Sequence, residues 1–283
     1  MTSSEPLSIR NHDRDLAGLT YVYPVLSRRA GGVSVGINLN PNNACNWHCA
    51  YCQVPDLVRG RAPDIDAGQL EAELSGFLEA LVHGDWLQRY APDGLRSIRD
   101  IAFSGNGEPT SAAAFPDAVA LAARLRGEFG LGREVPLRLI TNGSLMGQAR
   151  VQEGVRRLAG AGGEVWFKVD AGTREAMERI NGIALEPAAV RRNLSRCCEL
   201  CPTWVQTCMF RWDGVPPSDD EIDAYLELLA GVEGGRVAGV LLYGIARPSM
   251  QPEAIHLTPL REEELEAIAA RMRKQGLTVR VSP

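Results

Sequence analysis

Short apolar runs of strand length alternate with amphipathic helical segments along most of the chain. The apolar runs predict strands at residues 32–40, 98–103, 137–140, 165–169, 204–210 and 237–245, with a short final strand at 277–281. Helical spacing predicts helices at residues 67–84, 115–129, 148–158, 173–181, 187–199, 219–229 and 262–274. Because parallel strands need right-handed crossovers, this order predicts an α/β fold with a parallel sheet under helical cover. Periodicity leaves open whether the sheet is open or closes towards a barrel.

The composition favours one compact domain. The 283 residues show no shift in composition midway, and a chain of this length can bury a sizeable core. We predict that residues 32–283 form this core domain, with the short carboxyl-terminal strand included. Residues 1–31 are predicted to be an amino-terminal extension that packs on the core.

Charge and hydropathy limit the expected partners. A net charge of -5 makes nucleic acid an unlikely partner, because phosphate binding requires clustered Lys and Arg. The first residues are polar and no apolar run is long enough to span a bilayer, so we expect a cytoplasmic protein with no membrane partner. Seven cysteines in that compartment indicate metal ligation or buried thiols, not disulfides.

The segment NACNWHCAYCQ directly follows the first predicted strand. It places Cys45, Cys49 and Cys52 in the pattern CxxxCxxC. Three thiolates suit iron–sulfur chemistry, and a cubane cluster held by three cysteines keeps one iron open to an external ligand. The alternative is a zinc site that uses His48 as its fourth ligand. The adjacency of His48 and Cys49 disfavours closure of a tetrahedron by this loop.

Polar and glycine-rich segments follow the next three predicted strands. They are FSGNGEPT, ITNGSL and WFKVDAGT, and their candidate residues are Gly105, Gly107, Glu108, Thr141, Asn142, Lys168 and Asp170. Loops at the carboxyl ends of parallel strands meet at one edge of a sheet, where ligands bind. Taken singly, these segments also fit a Gly-Pro turn, a hairpin-like turn and a structural ion pair between Lys168 and Asp170.

The run CNWHCAYC resembles the signature of the radical S-adenosylmethionine (SAM) superfamily. The resemblance extends over residues 32–247 and implies a partial (β/α)6 barrel of parallel strands with outer helices. It further implies one 4Fe-4S cluster on the three cysteines, with SAM as the second cofactor. Within the superfamily, the runs GINLNPNNACNWHCAYC, SGNGEPT and VDAGT most resemble the group of wyosine-synthetase-like and molybdenum-cofactor-cyclase-like proteins.

The resemblance also implies roles for individual residues. Tyr51 would lie beside the adenine of SAM, and the loop of Gly105, Gly107 and Glu108 would bind the methionine amino group. The ribose hydroxyls and the methionine carboxylate would be held by Thr141, Asn142, Lys168 and Asp170. Lys168 departs from the serine often found at this position in similar relatives. Lys168 is therefore our candidate catalytic residue, which either grips the carboxylate or engages the substrate.

Seven further residues carry polar or thiol groups of interest. The last two core strands supply Gln206, Tyr243 and Arg247 as candidate substrate residues. Arg247 suits a carboxylate or phosphate, and a surface ion pair is an equal alternative. The remaining cysteines are interpreted as buried structural thiols, with a second cluster as the alternative: Cys197, Cys198, Cys201 and Cys208.

The resemblance implies an enzyme. An electron from a flavodoxin-type or ferredoxin-type donor would cleave SAM to methionine and a 5'-deoxyadenosyl radical, which removes hydrogen from a small-molecule or peptide substrate. Wyosine-type tRNA modification is the alternative, but those enzymes carry further amino-terminal cysteines and residues 1–44 contain none. A non-catalytic iron–sulfur carrier or sensor is a third interpretation, although ferredoxin-like carriers normally use four cysteines per cluster.

Overall fold

The computed structural model describes residues 18–27 and 31–283. In chain order the strands are β1 (Val22–Ser27), β2 (Gly32–Ile37), β3 (Ala44–Cys45), β4 (Val58–Arg59), β5 (Ile98–Phe103), β6 (Leu137–Thr141), β7 (Glu164–Lys168), β8 (Thr203–Cys208), β9 (Phe210–Trp212), β10 (Gly239–Tyr243), β11 (Leu257–Pro259) and β12 (Val279–Ser282). The α-helices are α1 (Ala67–Val82), α2 (Trp86–Tyr90), α3 (Phe115–Glu128), α4 (Ala149–Gly160), α5 (Arg174–Asn181), α6 (Pro187–Leu200), α7 (Asp219–Ala230) and α8 (Glu262–Lys274).

The main sheet has eight strands in the order β1-β2-β5-β6-β7-β8-β10-β12. From β2 to β12 every neighbouring pair is parallel, and the strands follow one another in chain order. Helices connect strands that are neighbours in chain order, and right-handed crossovers place these helices on one face of the sheet. The sheet curls away from them as a half-barrel. The predicted α/β fold and the partial barrel are confirmed.

The helices bury their apolar stripes against the sheet. In α1 the residues Leu70, Leu74 and Leu78 are spaced four apart and fully buried, as helical periodicity requires. The carboxylate of Asp66 caps this helix by accepting from the backbone N–H of Gln69 at 2.9 Å. The carboxyl ends of the parallel strands, and the loops that follow them, are left free for the site.

Strand β1 was not among the predicted strands. It lies inside the segment 1–31 that was predicted as an extension, and it pairs antiparallel with β2 as an outer strand of the sheet. Pro24 interrupts the run of strand-forming residues, and proline is tolerated in edge strands because one N–H there needs no ladder partner. Residues 1–17 and 28–30 of that segment lie outside the described residues.

The predicted strand at 204–210 is two strands in the structure. Strand β8 ends at Cys208, and after Met209 the chain turns into β9, which pairs antiparallel with β11 beside the main sheet. The predicted final strand is β12, which pairs parallel with β10. No helix among residues 18–27 and 31–283 is both long and apolar enough to cross a membrane.

Candidate active site

A cavity of about 300 Å³ lies on the concave side of the sheet and extends to the carboxyl ends of its strands. The predicted site residues that line it are Cys45, Cys49, Tyr51, Cys52, Gly105, Gly107, Glu108, Asn142, Lys168, Gln206, Tyr243 and Arg247. Thr141 and Asp170 lie behind its wall and hold residues that face it. Segments up to about 200 residues apart in the chain thus form one site, as parallel strands with adjacent carboxyl ends dictate.

The cysteine loop is anchored to the carboxyl end of α5. The backbone N–H of His48 donates to the carbonyl oxygen of Asn181 at 3.0 Å, and that of Ala50 donates to Ile180 at 2.7 Å. Gly182 caps α5 with φ 66°, and a Cβ there would meet the carbonyl oxygen of His48 at 2.6 Å. Glycine is therefore required where this helix ends against the loop.

The other side of the cysteine loop is anchored by the segment after β10. The backbone N–H of Met250 donates to the carbonyl oxygen of Cys52 at 2.9 Å, and the hydroxyl of Ser249 donates to Ala50 at 2.6 Å. The amide of Gln251 donates to the carbonyl oxygen of Val54 at 2.8 Å. No signal in the sequence marked this segment as part of the site.

Burial disfavours free thiolates in the cysteine loop. It raises the pKa of Cys45 to about 11 and the pKa of Cys49 to about 12, although the positive charge of Lys168 opposes both shifts. A thiolate ligand here would gain its charge compensation from a bound metal, since coordination displaces the proton.

The residues present fit an iron–sulfur cluster by their chemistry. Three thiols line one cavity, and Trp47 lines it too with a buried indole N–H that has no acceptor among the described residues. Buried donors are normally satisfied, and cluster sulfur can accept such a bond. His48, the fourth ligand in the alternative zinc site, has its Nε2 atom 3.4 Å from the carboxylate of Glu253. Within the described residues, no group of three or more His, Cys, Asp or Glu side chains is arranged to hold a metal ion.

Glu108 ties the loop after β5 to the end of β6. Its carboxylate accepts from the backbone N–H and hydroxyl of Thr110 at 3.1 and 2.5 Å, from the Thr141 hydroxyl at 2.6 Å and from the Asn142 N–H at 2.7 Å. Burial raises the pKa of Glu108 above its usual value, although these hydrogen bonds oppose the shift. Thr141 therefore contributes to the site by holding the carboxylate of Glu108.

Buried asparagines shape the glycine-rich loop, and sequence reasoning missed them. The side-chain oxygen of Asn38 accepts from the backbone N–H groups of Asn40 and Asn106, both at 3.0 Å. A Cβ on Gly105 would lie 2.3 Å from that oxygen, and a Cβ on Gly107 would lie 2.0 Å from a backbone carbonyl. The asparagine-rich run before Cys45 was the available signal.

Lys168 extends its ammonium group into the centre of the site. The Nζ atom lies 3.4 Å from the Tyr243 hydroxyl, 4.0 Å from a carboxylate oxygen of Asp170 and 4.7 Å from the centre of the Tyr51 ring. Burial lowers the pKa of Lys168, but the nearby Asp170 carboxylate and other ionisable side chains outweigh burial and leave the pKa above its usual value. Lys168 is therefore a cation at neutral pH.

Asp170 is a buried hydrogen-bond acceptor behind the cavity wall. It accepts from the Tyr51 hydroxyl at 2.5 Å, from the Asn181 amide at 2.9 Å and from the backbone N–H of Cys208 at 2.9 Å. Together with Lys168, these contacts join β7 and β8 to the cysteine loop. In the structure Asp170 positions Tyr51 rather than facing the cavity.

The far end of the cavity has a charged floor that sequence reasoning also missed. The guanidinium of Arg138 donates hydrogen bonds to Asp100 and, at 2.7 Å, to Glu164. It also lies 4.7 Å from the centre of the Trp166 ring, and Asp100 accepts a further hydrogen bond from the hydroxyl of Ser34. Ser34, Asp100 and Arg138 lie on β2, β5 and β6. Glu164 and Trp166 lie two positions apart on β7, so all five side chains share the concave face. Alternation of polar and apolar residues along these strands was the available signal.

The other candidates take separate places. Arg247 donates to the side-chain oxygen of Gln53 at 3.1 Å at the cavity wall. Cys197 and Cys201 are buried, and their sulfurs contact Thr203 at 3.4 Å and the carbonyl oxygen of Gly163 at 3.5 Å. The two further thiols are the half-buried Cys198 and the buried Cys208, which lines the cavity.

Comparison with known families assigns the chain. The model of the radical SAM superfamily matches residues 39–229, which is more than half of the 283 residues. The match spans the cysteine loop and the four strand ends that follow it. The chain therefore belongs to the radical SAM superfamily and is a radical SAM enzyme, a class that uses an iron–sulfur cluster and SAM.

Solved structures share the fold. A radical SAM methyltransferase from Sphaerobacter thermophilus aligns with a TM-score of 0.60 and 17% identity over 92% of this chain and 68% of its own. A variant of spore photoproduct lyase aligns with a TM-score of 0.51 and 11% identity over 84% of this chain and 73% of its own. At these identities the similarity establishes the architecture alone.

One curated protein shows local sequence similarity. The GTPase Obg of Brachyspira hyodysenteriae is 28% identical over 123 residues, which cover 44% of this chain. The chain spans 15% of the length of that protein.

Proposed function

We propose that this protein binds one 4Fe-4S cluster on Cys45, Cys49 and Cys52 and cleaves SAM reductively to abstract hydrogen from a substrate. Bound there, the cluster and SAM would supply the radical chemistry: one electron breaks the bond between sulfur and C5' and yields methionine and a 5'-deoxyadenosyl radical. The observation that supports this most is that the three thiols and the loops after β5, β6 and β7 line one cavity.

The chain's own residues would bind and orient SAM. Glu108 keeps the loop after β5 next to the end of β6, so that the backbone of both can bind the methionine moiety. The fixed cation of Lys168 suits the methionine carboxylate, since burial strengthens charge-assisted hydrogen bonds. Tyr51 is held by Asp170 beside Lys168, where its ring can flank the adenine.

For the substrate we propose a small molecule or a peptide. Gln206 on β8, Tyr243 on β10 and Arg247 after β10 line the same cavity and offer an amide, a phenol and a guanidinium. These three polar groups suit the polar atoms of a small ligand or of a peptide side chain. The motif similarity to wyosine-synthetase-like and molybdenum-cofactor-cyclase-like proteins supports placement in that group.

We further propose a low-potential flavodoxin or ferredoxin as electron donor. The reaction consumes one electron per cleavage, and an external protein would supply it to the cluster. All seven cysteines are free thiols in the structure, which fits a reducing compartment such as the cytoplasm.

Anaerobic reconstitution tests the proposal. The protein is loaded with iron and sulfide, reduced with dithionite and incubated with SAM, and 5'-deoxyadenosine is measured by chromatography. Wild type is expected to form it, while Cys52→Ala is expected to lose both the cluster absorbance and the product.

The matched control is Cys198→Ala, which removes a half-buried thiol outside the cavity. This variant is expected to retain iron content and product. A reduced wild-type protein that keeps its cluster but forms no 5'-deoxyadenosine would contradict the enzyme assignment and favour an electron carrier or sensor.

A further inference from the structure

Asn181 lies between the cysteine loop and the acceptor behind it. It is the last residue of α5 and is almost fully buried. Its side-chain nitrogen Nδ2 lies 3.4 Å from Sγ of Cys49 and 2.9 Å from Oδ2 of Asp170. An amide nitrogen carries two protons, so one can be directed at each acceptor.

The surroundings fix the orientation of this amide. The Asp170 carboxylate already accepts from the Tyr51 hydroxyl and the Cys208 N–H, so it acts as an acceptor. A flipped Asn181 amide would place oxygen against that carboxylate and against the sulfur. The N–H groups therefore point at Asp170 and Cys49.

The backbone keeps Asn181 in register with Cys49. The carbonyl oxygens of Ile180 and Asn181 accept from the residues on either side of Cys49 in the chain, Ala50 and His48, at 2.7 and 3.0 Å. The side-chain contact thus lies between two main-chain hydrogen bonds. Little freedom is left for the sulfur to move relative to the amide.

We propose that Asn181 is a positioning residue that also tunes the cluster, by donating an N–H···S hydrogen bond to Cys49 when that thiolate is an iron ligand. The inference rests on the proposed cluster site. Reduction adds one electron to a cluster, and hydrogen bonds to the ligand sulfurs stabilise the added negative charge. The Asn181 amide therefore raises the reduction potential of the cluster.

The test compares Asn181→Ser and Asn181→Leu with wild type. Each protein is reconstituted anaerobically, and the midpoint potential is measured by dithionite titration monitored by electron paramagnetic resonance. Loss of the amide is expected to lower the ratio of reduced to oxidised cluster about tenfold at a fixed potential, which is about 59 mV for a one-electron couple.

The matched control is Thr173→Ala at the other end of α5. The Thr173 hydroxyl accepts from the N–H of Ala176 at 3.2 Å, so its loss weakens the same helix without touching Cys49. This control is expected to lower the thermal midpoint and leave the potential unchanged. A drop in cluster content in both Asn181 variants, but not in Thr173→Ala, supports the positioning role.

Equal potentials in wild type and both Asn181 variants overturn the inference. The result is independent of SAM cleavage, because the titration needs neither SAM nor substrate. The potential of the Asn181 variants could shift as expected while the wild-type protein forms no 5'-deoxyadenosine. That outcome would refute the proposed function and leave the role of Asn181 intact.

Discussion

At the scale of single residues, the buried carboxylate of Glu108 joins two loops of the site. Its oxygens accept from four donors on Thr110, Thr141 and Asn142. Glu108→Gln keeps the shape but turns an amide NH2 towards donors. We expect the free energy of unfolding to fall by about 2 kcal/mol, measured by urea denaturation.

The stability difference between wild type and Glu108→Gln should depend on pH. Burial raises the native pKa of Glu108 above the value of 4.5 of an exposed Glu, so above pH 4.5 the native state holds this proton longer than the unfolded state. The free energy of unfolding then decreases as pH rises through this window. The advantage of wild type is expected to be largest below pH 4.5 and to shrink at higher pH. A difference that grows with pH would contradict the shift.

Lys168→Met tests the role of the central cation. We expect the dissociation constant for SAM to rise about tenfold, which corresponds to about 1.4 kcal/mol, because the methionine carboxylate loses its partner. Anaerobic equilibrium dialysis with labelled SAM measures this. Tyr243→Phe is the control, since it removes only the hydroxyl 3.4 Å from Nζ. Unchanged SAM affinity with lost product formation would assign Lys168 to the substrate.

Residue types and spacing revealed the part of the site that comes from local motifs. The cysteines and the strand-end residues are consecutive in short segments, so their proximity follows from parallel strands. Asn181, Ser249 and Met250 contact the cysteine loop from distant parts of the chain. Such contacts depend on how a helix end and a returning loop pack, which no local pattern encodes.

At the scale of elements, the long periodic helices and buried strands were predicted closely. Helix α8 has the predicted bounds, and β5 does too. The misses are short or at an edge: β1 contains Pro24, and α2 has five residues. Elements this short, or interrupted by proline, show no clear periodic pattern in the sequence, so tertiary contacts decide whether they form.

The turn after β6 is expected to be intolerant of side chains. Gly143 has φ 67°, and a Cβ there would lie 2.0 Å from the ring of Phe167 on β7. Gly143→Ala is expected to lower the free energy of unfolding by about 3 kcal/mol through backbone strain and overpacking. Chemical denaturation provides the measurement.

Gly76→Ala is the matched control for that turn. Gly76 is exposed within α1, and a Cβ there would have no neighbouring atom within 4 Å. Alanine is expected to raise the free energy of unfolding by about 1 kcal/mol, because it favours the helix. Equal effects of the two substitutions would argue against the contact with Phe167.

At the scale of the whole molecule, cluster binding should couple to global stability. The cysteine loop is hydrogen-bonded to α5 on one side and to the segment after β10 on the other. Ordering the loop therefore stabilises the packing of both segments. We expect anaerobic cluster loading to raise the thermal midpoint, because a ligand that binds only the native state stabilises it. Calorimetry of loaded and cluster-free protein measures the shift. Cys49→Ala is expected to abolish the shift, and a midpoint independent of loading would show that the loop is ordered without the cluster.

The two anchors of the cysteine loop also set an order of events during biogenesis. Met250, whose N–H donates to the carbonyl oxygen of Cys52, is synthesised almost 200 residues after Cys52. Asn181 follows Cys49 by 132 residues. A nascent chain synthesised at about 5–20 residues per second therefore exposes the thiols of the cysteine loop for tens of seconds before both anchors exist. We therefore expect the proposed cluster to be inserted after both anchors have been synthesised, and the thiols must stay reduced until then.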